Sequence, residues 1–334
     1  MSALTIPLNH VLAQTLKGLG HFVYFPNPGN LGDELIAVAT VQVFDSLGLS
    51  YEIYDKNKTY SDKFTLVYGG GGGMIPDWGF LPTIEKALMN PALVRGVILP
   101  HSIRGCDELL KKLDERFTIF CRERKSLEYC RSINKTADIH LADDMGCLLN
   151  PAAVPSQKEL HKELPKPGLF IWLYSLLFES RKSRTRILHR YYQKTYARLN
   201  RHTRARAQLL PNGKKLGIMI RKDSETLEGS VPPQLPVQHN IDVSRYGGAD
   251  CCWLTFNNMG TRQFLNTIDK FDIIVTNRLH ISIAAAHLGK EVIMIDNSYG
   301  KLSGVWEQSL TTAKHCHLCR SSEEVISILD KLSS

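Results

Sequence analysis

Arg278, Leu279 and His280 follow a run of β-branched residues, Ile273, Ile274 and Val275, across a Thr276-Asn277 break. An arginine two residues from a histidine sets a fixed positive charge beside a ring that titrates near neutrality, which suits an anion site with a proton to give. A small-residue run closed by Gly289 and a second apolar run, Val292 to Ile295, complete a strand, helix, strand unit. Asn277 is expected to cap the helix, which puts Arg278, Leu279 and His280 in its first turn, where unpaired N–H groups and the dipole favour an anion. The plain alternative is a local salt bridge for Arg278 and a packing role for His280.

A second candidate lies near the amino terminus, where PNPGNLGDELIAVATVQVF reads as a loop entering a helix. Gly29 and Gly32 permit a tight turn, Asn30 can cap, and Asp33 and Glu34 fall in the first helical turn. Lacking G-x-G-x-x-G spacing and carrying acids where a pyrophosphate would sit, the turn makes Asp33 a hydroxyl acceptor or base, or else a helix-dipole partner. Further strand-like runs at Tyr51 to Tyr54, Thr65 to Tyr68, Val97 to Leu99, Thr118 to Cys121 and Ile139 to Leu141 alternate with helix-like stretches, predicting an α/β fold with a mostly parallel sheet. Their ends carry Gly69 to Gly73, His101-Ser102, Arg122-Glu123-Arg124 and Asp143-Asp144. Ligands of open α/β sheets bind outside the carboxyl ends of the strands, so these positions share one functional edge. Five consecutive glycines, Gly71 and Gly72 at their centre, are expected to serve backbone approach to a ligand or to a second domain and not packing.

The chain restarts as a second α/β region, with a strand from Leu216 to Ile220 ending in Arg221, and its 334 residues suit two domains. The expected division is 1–155, a linker with a helical insert at 156–210, a second unit at 211–320 and a closing helix at 321–334. Pro151 to Gly168, rich in proline and charge, marks the boundary, and Val231 to Asp250 reads as a long loop. A hydrophobic content of 43% with 22% charged residues excludes a disordered chain. No basic-then-apolar leader and no 18-residue apolar run is seen, so the cytoplasmic side of the membrane is expected. Eight cysteines scattered through strand-like and helix-like runs suit reduced thiols. His315-Cys316-His317-Leu318-Cys319 splits across two faces of a short strand and lacks a second ligand pair, so no metal site is expected there.

Taken with Asn30-Leu31-Gly32-Asp33, the glycine run, Leu99 to Ile103, Arg122 to Ser126 and Asp296 to Val305, the Arg278-Leu279-His280 triplet resembles the polysaccharide pyruvyl transferase family. The likeness runs from about Phe25 to Glu307 apart from the insert. It implies two Rossmann-like domains facing across a cleft, like the B-type glycosyltransferases, with phosphoenolpyruvate as donor and a sugar hydroxyl pair of a glycan, or lipid-linked glycan, as acceptor. Arg278 and His280 match the family's Arg-Leu-His, and Arg122 matches an arginine after its fourth or fifth strand. At His101 the family more often shows Gln.

A donor with a carboxylate and a phosphate needs several fixed cations, and Arg122, Arg221 and Arg278 meet that need, because guanidinium binds both groups bidentately. His280 is then the general acid, with Asp33, Asp143 or Asp144 as base, unranked by the sequence. Lys301, after the turn-rich Asn297-Ser298-Tyr299-Gly300, is expected at the same cleft, and Asn30, Gly71, Gly72, His101 and Ser102 complete the substrate contacts. That chemistry calls for no redox cofactor and no metal. A nucleotide-sugar glycosyltransferase, with Asp296 on a ribose, is the alternative within enzymes. A nucleic-acid binder is the alternative outside them, set aside because no recognisable nucleic-acid module is present.

The net charge of +8 is local. Ten basic residues and no acid lie between Arg181 and Arg206, leaving −2 for the rest of the chain. Directly before them stands LFIWLYSLLF, too short to span a bilayer yet carrying Trp172 and Tyr174. An apolar run joined to a basic helix is the composition of an anchor at an anionic membrane face, the alternative being a hairpin with its charges in solvent. Flotation with anionic vesicles at low salt is therefore expected of the intact protein and not of a variant lacking residues 169–208; equal flotation of the two makes the insert a packing element.

Overall fold

The computed structural model describes residues 4–56, 58–163, 208–221, 229–235, 240, 254–296 and 300–334. The basic insert, most of the loop at 231–250, and Cys251 and Cys252 lie outside the described residues. Six parallel strands form the first sheet: β1 (Phe22–Phe25), β2 (Tyr51–Ile53), β3 (Phe64–Tyr68), β4 (Leu93–His101), β5 (Phe117–Cys121) and β6 (Asp138–Leu141), in the order β2-β1-β3-β4-β5-β6. The second sheet runs β11-β10-β9-β8-β7, built from β7 (Gln208–Leu209), β8 (Lys215–Met219), β9 (Ile273–Thr276), β10 (Glu291–Ile295) and β11 (Cys316–Cys319). Only β7 is antiparallel to its neighbour. Parallel sheets are covered on both faces, which is why β1, β5 and β9 are buried along their whole lengths.

Pro100 lies near the end of β4, close to the middle of the first sheet, where it has no N–H to give. The register of β4 against β5 shifts between Ile98 and His101. Beyond the shift the His101 carbonyl accepts from Arg122 N (3.1 Å), and Ser102 N donates to Gly71 O (2.9 Å). An irregularity of this kind re-aims side chains at the sheet's carboxyl edge.

The helix Leu31–Ser46 joins the two sheets. Asn30 caps it as expected: its Oδ1 accepts from Gly32 N (2.8 Å), and Asp33 Oδ2 accepts from Asn30 N (2.9 Å), a capping box. The helix has apolar residues on all sides and is buried nearly throughout, the pattern of a helix enclosed by protein. Leu31, Leu35 and Val38 share one continuous core with Phe264 and Leu265 of the helix Leu254–Ile268 and with Ile281 and Ile283 of the helix Leu279–His287. Arg262 reinforces the junction, donating to the carbonyls of Pro155 (3.0 Å), Pro151 (3.2 Å) and Val154. The stretch read as a boundary thus docks on the second half, through the turn Pro151–Ala153 and the helix Gln157–Glu163.

At the last strand the alternation holds, with Cys316 in the core shared by the two halves and Cys319 in the cluster on the sheet's other face. His315 Nε2 donates to Ala286 O (3.1 Å), and His317 pairs with Glu291 (3.1 Å). Among the described residues no helix is long and apolar enough to cross a membrane.

Phe264 is fully buried in the joint core. Phe264→Ala should lower stability by about 3–5 kcal/mol, read as a fall in the denaturation midpoint by circular dichroism. A change below about 1 kcal/mol would mean that the halves do not share a core.

Candidate active site

Charged residues that follow strands of both sheets meet at one place. Arg122, the residue after β5, is the largest fully buried side chain among the described residues. Its Nη1 donates to Asp144 Oδ2 (2.7 Å) and its Nε to Ser102 Oγ (2.9 Å), while Ser102 in turn donates to Glu123 Oε2 (3.0 Å). Asp144 follows β6 and caps the short turn Met145–Leu148, its Oδ1 accepting from Gly146 N (2.7 Å). Burial opposes ionisation of Asp144, but the Arg122 guanidinium and the His280 ring hold its carboxyl well below the usual carboxylate range. For Glu123 burial wins, pushing the carboxyl up against the opposing pull of Arg122.

His280 reaches this pair from the second sheet. Its Nε2 stands 3.7 Å from Asp144 Oδ2, an ion-pair distance longer than a hydrogen bond. The other side of the ring lies against Gly32, where a Cβ would fall 2.3 Å from Nδ1. Only glycine fits there, so the first turn of the helix Leu31–Ser46 and the Asp144 carboxylate enclose the imidazole. Asn277, expected to cap the helix behind His280, does not: the cap position belongs to Arg278, with no side-chain bond. Asn277 Oδ1 instead accepts from Arg221 N (2.7 Å), and Thr276 Oγ1 donates to Met219 O (2.6 Å) and accepts from Arg278 N (3.0 Å). Bonds to the ends of β8 win because strand pairing already places their backbone groups beside these two side chains. Arg221 is buried and Arg278 half-buried at this edge.

Lys301 opens the short helix Lys301–Val305 behind Gly300, whose φ of 75° is the left-handed turn glycine permits. A Cβ on Gly72 would stand 3.5 Å from Lys301 Nζ and 3.7 Å from Arg122 Nη2. Burial, with Arg122 and Arg221 as neighbouring cations, brings the Lys301 amine down to about 7, against the pull of Asp33 and Glu123.

The glycine run divides in its use. Gly72 faces the two cations, as expected of a backbone left open to a ligand or to the second half. The other four are explained by packing, contrary to expectation: a Cβ would fall 2.8 Å from Asn27 N at Gly69, 2.9 Å from Pro100 O at Gly70, 2.8 Å from Asn27 Nδ2 at Gly71 and 2.2 Å from Asn27 Oδ1 at Gly73. Asn27 is the hub of this packing, accepting from Tyr68 Oη and donating to Asp33 Oδ1 (3.0 Å). Both oxygens of Asp33 therefore accept hydrogen bonds within the loop. Asp143 turns to Ser309 Oγ (2.8 Å) and Gln308 Nε2 (3.5 Å), leaving its neighbour Asp144 at His280. His101 is fully buried and stacked on Tyr68, with ring centroids 4.9 Å apart and Nδ1 3.2 Å from Leu99 O. Burial and the nearby Arg122 push its imidazole down to about 3, so the ring stays neutral.

Asn27 and Tyr68 shape the site without any signal in the sequence, whereas Asp144, one of the three base candidates, is the partner of Arg122. The one local signal was the capping pattern Asp144-Met145-Gly146, which marks a turn and fixes where Asp144 points.

A mostly parallel α/β fold thus gathers Arg122, Arg221, Lys301 and a histidine beside Asp144 at the ends of strands of the two sheets. The family model of polysaccharide pyruvyl transferases matches residues 30–299, and the chain belongs to that family and is a transferase. The crystal structure of a functionally uncharacterized protein from Klebsiella pneumoniae has a similar fold, with a TM-score of 0.66, 24% identity and coverage of 93% of this chain and 96% of that one. Among curated proteins, none matches.

Lys301 supplies a pH test. Its folded value of about 7 lies below the ordinary 10.5, so between these limits the unfolded chain holds more protons and stability rises with pH. Below about 7 the fold bears the full cost of an ammonium held beside Arg122 and Arg221. Lys301→Met should therefore raise the melting temperature more at pH 6 than at pH 9.5; equal shifts at the two pH values would place the amine in water.

Proposed function

We propose that this transferase moves pyruvate from phosphoenolpyruvate onto two hydroxyls of one sugar in a surface polysaccharide or its precursor, closing a ketal. The observation that carries the reading is the meeting of Arg122 and Asp144 from the first sheet edge with His280 from the second, inside the span matched by the family model. On this reading residues 1–155 and 211–320 are two Rossmann-like halves disposed as in the B-type glycosyltransferases, with the site between them.

Arg122, Arg221, Arg278 and Lys301 hold the donor's carboxylate and phosphate, since three guanidinium groups supply bidentate contacts and fixed charge. The backbone at Asn30 and Gly72 leaves room for donor or acceptor, with Gly71, His101 and Ser102 behind it. His280 gives a proton to the methylene carbon, leaving the adjacent carbon electron-poor. One sugar hydroxyl bonds to that carbon, the carbon–oxygen bond to phosphate breaks with its electron pair on phosphate, and the second hydroxyl then closes the ketal. Of the two hydroxyl protons, one restores His280 and the other leaves with phosphate, so the reaction balances without an oxidant or reductant. Asp33 and Asp143 are the candidate relays for these protons. A lipid-linked glycan precursor as acceptor would bring the enzyme to the membrane face, the setting that the composition of residues 169–208 suits.

Phosphate release should require both phosphoenolpyruvate and a glycan acceptor, and release from a nucleotide sugar in their place would assign the fold to glycosyl transfer. His280→Ala should cut turnover by about a hundredfold or more while phosphoenolpyruvate still binds. Arg278→Ala should weaken that binding instead, as calorimetric titration would show. If both variants bind and turn over like the parent, the helix end is structural only.

A further inference from the structure

We infer that Asp144 is a positioning residue that couples anion capture at Arg122 to proton delivery by His280, holding the imidazole from across the junction of the two sheets. The inference rests on the proposed reaction for its kinetic consequence, but its physical content can be read without turnover.

The geometry has three parts. Asp144 is fully buried, and its Oδ2 is shared by Arg122 Nη1 at 2.7 Å and His280 Nε2 at 3.7 Å. Its Oδ1 is fixed by Gly146 N at 2.7 Å, so the carboxylate cannot swing to serve one partner alone. The turn that Asp144 caps also docks the far end of the histidine's helix, because His287 Nε2 donates to Gly146 O at 2.9 Å. Gly146 itself fits between Leu35 and Ile283, where a Cβ would meet Leu35 Cδ2 at 2.9 Å. One turn after β6 therefore sets both ends of the helix Leu279–His287 against the first sheet.

A carboxylate held ionised by its arginine is a fixed counter-charge for an imidazolium. The other charged groups around the ring are Arg122, joined to the same carboxylate oxygen, Asp33 in the helical turn that Gly32 begins, and Arg278 on the ring's own helix. An anion that draws on Arg122 changes the field on the oxygen His280 faces, which links donor binding to the acid.

Asp144→Asn keeps the shape and removes the charge. Its imidazolium would lose the nearby anion and stay close to Arg122, so the His280 ring signals should respond to pH differently from those of the parent. Nuclear magnetic resonance titration of labelled histidines, with the His280 signal assigned from His280→Gln, reads this without substrate. In turnover kcat should fall more than tenfold, with KM changing less. Asp144→Glu should restore part of kcat. His287→Ala tests the purely structural alternative: it should lower the melting temperature and leave the His280 titration in place. An unchanged His280 titration in folded Asp144→Asn would overturn the inference. If Asp144→Asn does not fold, the donor-induced shift of the His280 signal in the parent decides: a shift on adding phosphoenolpyruvate supports the coupling and none refutes it. Absence of turnover in the parent would count against the proposed reaction alone, because the titration stands apart from it.

Discussion

The fold closes around a guanidinium and a carboxylate that are both cut off from water. Removing two such charges from solvent costs several kcal/mol each, and their attraction repays this only when the remaining donors and acceptors are met. For Arg122 and Asp144, Ser102, the Gly146 amide and the nearby Glu123 carboxylate, whose Oε2 is 3.7 Å from Arg122 Nε, supply such contacts. Each partner arrives from the end of a different strand, β5 and β6, so the pair exists only when those strands lie in register. Removing either partner would strand a buried charge, the costliest kind of single change.

Around this pair the polypeptide gives way wherever a side chain would intrude. Pro100 and the register shift before His101 turn the end of β4 so that Ser102 meets Arg122. Gly72 leaves Arg122 and Lys301 without a side chain between them, and Gly32 makes room for the His280 ring. Gly304 approaches the Glu123 side chain within 3.0 Å of where its own Cβ would be, drawing the helix that follows Lys301 down onto the same cluster. Cations packed this closely would repel one another without acids among them. Asp144, Glu123 and Asp33 supply the opposing charge, yet Lys301 still releases its proton near neutrality.

Much of this was legible in the chain because its signals are local. Strands declared themselves by β-branched runs, and the Asn30 cap by its partner Asp33 three residues on, both short-range effects that folding preserves. The functional edge followed from a general rule of parallel sheets, which put Arg122 and Asp144 on one edge of the first sheet, as their ion pair shows. Long-range choices were not legible. Asn277 has the residue type of a helix cap, but Arg221, 56 residues earlier in sequence, takes its side chain. Asp143 and Asp144 are identical in kind and adjacent, and only the turn at Gly146 and the approach of Ser309 decide which faces His280. Packing at Gly69, Gly71 and Gly73 was not legible either, because the crowding by Asn27 comes from a loop some forty residues away.

The shared core bears on how such a site could work. A cleft between two freely hinged halves would have to expose the apolar faces of the helices Leu31–Ser46 and Leu254–Ile268 each time it opened. Burying a large aliphatic or aromatic side chain is worth about 1.5–3 kcal/mol, so parting even Leu31, Leu35, Phe264 and Leu265 would cost more than a routine catalytic motion supplies. The junction is therefore expected to stay closed through a reaction cycle, which keeps Arg122 and His280 at a fixed separation although they belong to different sheets. Holding reacting groups in place is itself a large part of catalysis, since the entropy of bringing them together is lost during folding instead of at each turnover. The same continuity that makes the helix Leu31–Ser46 apolar on every side gives the acid and the anion-binding arginine one rigid frame.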